Sequence, residues 1–95
     1  MVRRNKYHAD IIPALGEVHL RHLIVEEALL KLDKYLDGAF MAGLYRVRII
    51  HGKGTGTLCR LVRERLAKHP LVESYRPGGY GEGGNGVTIA ELVLE

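Results

Sequence analysis

His51-Gly52-Lys53-Gly54-Thr55-Gly56 is the stretch of this 95-residue chain best equipped for chemistry. Alternating glycines let a backbone approach a ligand closely, the amides at the start of a following helix attract anions, and Lys53 adds a mobile positive charge. Those are the parts of a phosphate site. The stretch is not a Walker A loop, which needs Gly-Lys-Ser/Thr after a longer glycine spacing. Thr57 stands where a dinucleotide fingerprint places its third glycine, so a nucleotide cofactor is not expected. His51 is the side chain here whose ordinary pKa of about 6.5 suits proton transfer near neutral pH. Lys53, Arg21 and the helix amides would stabilise the charge that builds on a phosphodiester in its transition state. A tight turn alone would also use the glycines, with His51 merely capping a strand.

Other candidates surround this loop. Arg60 and Arg63, on the exposed side of the following helix, would extend a track for nucleic acid, although ordinary solvated helix charges read the same. His19 and His22, three residues apart on a strand, point to opposite faces; they form no metal clamp, and one of them is expected to be buried or structural. Asp10, Glu17 and Glu82 include no carboxylate pair at a convincing spacing, so no dedicated metal site is expected and Mg²⁺ is at most an optional cofactor. Cys59 falls between core positions of a helix and reads as packing. Tyr75 and Tyr80, beside Arg76 and the late glycine-rich run, could stack on exposed bases or serve as edge packing.

The elements that must position these groups follow from periodicity. Glu17–Leu23 alternates as a half-buried strand, with Val18 and Leu20 inward and Glu17, His19 and Arg21 outward. Val25–Ala42 carries one apolar stripe of a helix, with Glu26 and Glu27 in its first turn and Gly43 as its stop. Leu44–Ile50 alternates again, Val47 and Ile49 inward, Arg46 and Arg48 outward. Leu58, Leu61, Val62 and Leu66 mark a second helix ended by Pro70, and Val72–Arg76 and Gly86–Val93 read as two further strands. The order β-α-β-α-β-β predicts an α/β fold, an α+β two-layer sandwich with both helices on one sheet face. The other face would present His19, Arg21, Arg46 and Arg48 either to a phosphate backbone or simply to solvent.

Length and composition bound the rest. Ninety-five residues make one domain, read as an N-terminal tail or linker over 1–16 and a folded unit over 17–95. A hydrophobic share of 46% is enough for a core and excludes a disordered chain. One cysteine leaves no intramolecular disulfide, no run reaches the ~18 apolar residues of a span, and Arg3-Arg4 is followed by polar residues rather than a signal core. A cytoplasmic protein without membrane contact is expected. Fourteen basic against eleven acidic residues give a net charge of +3, a mild bias toward polyanions.

The segment RIIHGKGTGTLCRLVRERL, followed by HPLVESYRPGGYGEGGNGVTIAEL, resembles the Smr (small MutS-related) domain. That module occurs at the C-terminus of type-two MutS paralogues and in stand-alone proteins. The resemblance covers about residues 17–94, with the HGKGTG loop and the GEGGNGVT run in order and at the family's spacing. It implies a fold similar to the C-terminal domain of translation initiation factor three. It also implies binding of branched or duplex DNA or of structured RNA, and a nicking endonuclease activity on DNA or RNA linked to repair and recombination control. The chain would then be part of a larger MutS-like protein or a stand-alone module.

The family's first motif, Leu-Asp-x-His or Leu-Asp-Leu-Arg-Gly, falls on Val18-His19-Leu20-Arg21-His22. His19 replaces the acidic residue and His22 the glycine, so no role of that aspartate carries over. His51, Gly52, Lys53 and Gly54 match, as does Arg21. Two readings follow. In the first the domain cuts phosphodiesters with His51, and His19 in place of the lost carboxylate, as acids or bases. Its nucleic-acid track is then Arg21, Arg46, Arg48, Gly52, Lys53, Gly54, Thr55, Gly56, Arg60 and Arg63. In the second it is a non-catalytic DNA- or RNA-binding module, for instance a ribosome-associated one.

Overall fold

The structure is a computed structural model that describes residues 16–94. Of the tail assigned to residues 1–16, residues 1–15, and with them Asp10, lie outside the described residues. The elements are β1 (Glu17–His19), α1 (Val25–Met41), β2 (Arg46–Ile50), α2 (Thr57–Lys68), β3 (Val72–Pro77), a 3₁₀ turn at Gly84–Gly86, and β4 (Val87–Leu92). They form one four-stranded mixed sheet in the order β1-β2-β4-β3. β1 runs parallel to β2, whereas β4 is antiparallel to both β2 and β3. The last strand therefore inserts between the two that precede it.

Period-two alternation sends Val18, Val47, Ile49, Ala90 and Leu92 to one face, where they meet Ala28, Leu32, Leu36 and Ala39 of α1 and Val62 and Leu66 of α2 in a single core. Both helices thus cover the same face, and the α/β two-layer sandwich is the observed fold. Leu32 and Leu36 are completely buried, so truncating either to Ala would cost about 2–5 kcal/mol. Among the described residues no helix is long and apolar enough to cross a membrane.

Two local expectations are corrected. The first strand ends at His19 instead of Leu23: Leu20 N–H still donates to the Ile50 carbonyl at 2.8 Å, but the chain then turns, with His22 at φ 68°. His19 and His22 are therefore not strand neighbours, and neither is buried; among the described residues the buried histidine is His51, 5% exposed. The helix-free face is also less basic than its sequence pattern suggests. Cross-strand partners share a face, and Arg46 pairs with Glu91, Arg48 with Ile89 and Ile50 with Val87. Val87 and Ile89 are buried there. Glu91 takes up Arg46 at 3.0 Å, and Glu17 lies 3.7 Å from Arg48.

Candidate nucleic-acid interface

At the C-terminal end of β2 the helix-free face opens into a cleft lined by Arg21, Arg48, Ile50, Gly52, Lys53, Gly54, Gly83, Gly86 and Val87. Two loops make its walls. The Gly86 carbonyl accepts both the His51 N–H, at 3.1 Å, and the Gly52 N–H, at 2.9 Å, so the 51–56 loop is bolted to the 3₁₀ turn. Gly52 has φ +81°, and a Cβ there would sit 3.3 Å from Cγ and Nε of Arg21. Glycine is thus favoured at Gly52 by its left-handed backbone and by the Arg21 side chain, which a Cβ would press aside. Among the described residues Arg21 and Lys53 enter no ion pair, whereas Arg46 is tied to Glu91. Lys31, Lys34, Arg63 and Lys68 are likewise without an ion pair among the described residues, but they belong to the helices; on the helix-free side it is Arg21 and Lys53, at the cleft, that have no carboxylate partner. Arg48 joins them from below, its Nε finding no acceptor among the described residues.

His51 lies behind this wall. Its Nδ1 is 2.9 Å from the Gly52 carbonyl and its Nε2 2.8 Å from the Thr88 hydroxyl. A carbonyl only accepts, so Nδ1 carries the proton and Nε2 accepts from Thr88 O–H. Thr88 Oγ1 in turn accepts the Arg63 Nε–H at 2.9 Å. Donors and acceptors match along the whole chain Arg63–Thr88–His51–Gly52 when the imidazole is neutral. Burial, and secondarily the Arg63 charge, push the His51 pKa below 6.5, against the bond to the Gly52 carbonyl, which raises it. Sequence reasoning missed Thr88. Its signal is a hydroxyl at an inward position of β4, flanked by the inward Ala90 and Leu92.

The remaining candidates divide among four places. Gly56, Arg60 and Arg63 line a separate groove with Cys59, Glu64, Ala67, Lys68 and Tyr75, between α2 and β3. Thr55 is exposed and receives Thr57 N–H at 3.3 Å, so its hydroxyl serves the start of α2. Arg46 stands at the far end of β2 with Glu91. His19 is on the helix-free face, its side chain 63% exposed, with Nε2 3.6 Å from Glu17 Oε2; the same carboxylate faces Arg48. The structure therefore brings together Arg21, Arg48, Gly52, Lys53 and Gly54, puts His19 beside them through Glu17, and separates Arg46, Thr55, Gly56, Arg60 and Arg63.

Of the carboxylates considered for Mg²⁺, the two among the described residues, Glu17 and Glu82, are engaged. Glu17 lies 3.7 Å from Arg48 and 3.6 Å from the His19 ring, and Glu82 makes a bidentate pair with Arg76, at 2.7 and 3.0 Å, while accepting Gly79 N–H at 2.7 Å. These bonds, Arg76 first, hold its pKa at about 2. Among the described residues no group of three or more His, Cys, Asp and Glu is placed to hold a metal ion.

Comparison with known proteins agrees with this fold. The Smr domain family model matches residues 18–93. An endonuclease MutS2 from Symbiobacterium thermophilum is 63% identical over 76 residues, 80% of this chain and 10% of that protein. One from Clostridium beijerinckii is 50% identical over 90 residues, 95% of this chain and 12% of that protein. The chain thus spans about a tenth of the length of these relatives. The crystal structure of the Smr domain of Thermus thermophilus MutS2 superposes with a TM-score of 0.80 at 47% identity, covering 82% of this chain and 98% of that one. YdaL, a stand-alone small MutS-related protein from Escherichia coli, gives 0.78 at 27% identity over 84% of this chain and 66% of its own. With four-fifths of its length matched by one family model, and a relative 63% identical over 76 residues, the chain belongs to the Smr domain family.

Proposed function

We propose that the chain binds the phosphodiester backbone of nucleic acid in the cleft and hydrolyses it, as the endonuclease names of its relatives suggest. The observation that carries this reading is the convergence of Arg21 and Lys53, both without an ion-pair partner among the described residues, on a loop whose Gly52 and Gly54 admit close approach. A phosphate seated there meets positive charge that needs no rearrangement, and the same cations stabilise the additional negative charge of the pentacoordinate transition state. Attack of water on phosphorus requires a group to take the water's proton, and the departing alkoxide requires one in return.

His19 is the imidazole we assign to proton exchange with substrate, because its side chain is exposed on the helix-free face and the Glu17 carboxylate, 3.6 Å away, orients it. His51 acts differently. Its ring nitrogens are both committed, so it holds the loop and is a positioning residue.

The test is cleavage of supercoiled plasmid and of an end-labelled structured RNA, with and without Mg²⁺, by wild type, His19→Ala and Lys53→Ala. Nicking that falls about 10²- to 10⁴-fold in His19→Ala supports hydrolysis through this imidazole. Unchanged nicking in both variants contradicts it. One observation favours a second reading, a binding module without chemistry: the residues lining the cleft include neither a carboxylate nor an imidazole. Gel shifts of both nucleic acids with neither cut would establish that reading instead.

A further inference from the structure

We propose that Tyr80 is a stacking post for an unpaired nucleobase adjacent to the phosphate held by Arg21 and Lys53. The inference rests on the phosphate-binding reading of the cleft and adds to it the feature of nucleic acid that is selected. Tyr80 exposes its entire side chain, 106% relative accessibility, so it contributes nothing to the core. Isolated exposed apolar residues are ordinary; the loop that presents this one is not. Arg76 and Glu82 clamp its two sides with a bidentate ion pair, Glu82 accepts the Gly79 N–H, and Glu82 N–H returns to the Gly79 carbonyl at 2.9 Å. Gly78 N–H closes the base of the loop on the Val87 carbonyl at 2.9 Å. An aromatic ring is thus carried on a braced loop with its faces free.

The brace also sets the backbone of Tyr80 beside the cleft. Gly83 and Gly86 line the phosphate cleft, and Gly86 is bonded to the backbone of the 51–56 loop. Tyr80 is three residues from Gly83, hence no more than about 11 Å from the cleft wall. That is the reach of the next nucleotide along a bound strand. A base stacks on a tyrosine whatever its identity, provided its own face is free, which selects an unpaired base over a paired one. Tyr75 does not compete for this role: it is 39% exposed and lines the groove beside α2.

The test uses the 95-residue chain and two matched oligonucleotides, one fully paired and one with a single unpaired 2-aminopurine, each made as DNA and as RNA. Wild type is expected to bind the unpaired form about fivefold to a hundredfold more tightly and to quench its fluorescence. Tyr80→Ala is expected to lose both the preference and the quenching while binding the paired form as wild type does; Tyr80→Trp is expected to keep them. Whichever sugar shows the preference identifies the source of the base. A wild type without preference, or a preference that survives in Tyr80→Ala, overturns the assignment while leaving the cleft intact. If Lys53→Ala binds the paired form as well as wild type does, or wild type binds neither oligonucleotide, the cleft reading falls and the stacking post with it.

Discussion

Thr88 Oγ1 lies 2.8 Å from His51 Nε2, a hydrogen bond between residues 37 positions apart that ties the last strand to the 51–56 loop. Because the same hydroxyl accepts from Arg63 on α2, three elements meet at one oxygen. The loop's shape is thereby a property of the whole core and not of its glycines alone.

Removing that oxygen should be costly although it changes little volume. Thr88→Val leaves His51 Nε2 without its donor in a buried site, and a loss of about 1–3 kcal/mol is expected. Urea denaturation followed by far-ultraviolet circular dichroism measures it, since the chain has no tryptophan. An unchanged midpoint would show that the bond contributes nothing.

The same histidine makes stability depend on pH with a definite sign. Its pKa in the folded chain is below the ordinary 6.5, so the unfolded chain binds this proton more readily. The stabilisation is complete above about 6.5 and is lost as pH falls toward the folded-state value. Urea midpoints compared at about pH 7.5 and about pH 5.5 should drop for wild type, and drop less for His51→Gln. Equal drops would assign the acid sensitivity to other groups.

Gly52→Ala is expected to cost about 1–2 kcal/mol, because φ +81° is left-handed backbone. It should also weaken nucleic-acid binding, since the new methyl presses on Arg21. Gly83→Ala should be worse: its Cβ would overlap Val87 Cγ2, at φ +108°. Thermal melts and filter binding of the two variants separate the stability effect from the effect on the cleft.

Much of this architecture is legible in local periodicity. The helix stripes around Leu32 and Val62, the stop before Pro70 and the strand at Val47 and Ile49 follow from spacing alone, and they place the glycine loop between a strand end and a helix start. What spacing cannot carry is partnership across distance. Arg46 and Glu91 are 45 residues apart, and Arg63 and Thr88 are 25 apart, so neither the neutralised strand face nor the buried hydroxyl is visible in any window. Alternation through Leu20 and Leu23 likewise conceals the turn at His22, since a buried leucine serves equally well just beyond a strand.

The most direct measurement is the salt dependence of affinity for a paired oligonucleotide by wild type, Arg21→Ala/Lys53→Ala and Arg46→Ala. Each cation that meets a phosphate adds about one to the slope of log K against log salt. The double variant should therefore lose about two from the slope and most of its affinity, while Arg46→Ala, already occupied by Glu91, should stay near wild type. A double variant that binds as wild type does, or an Arg46→Ala that loses as much, would contradict the cleft as the phosphate site.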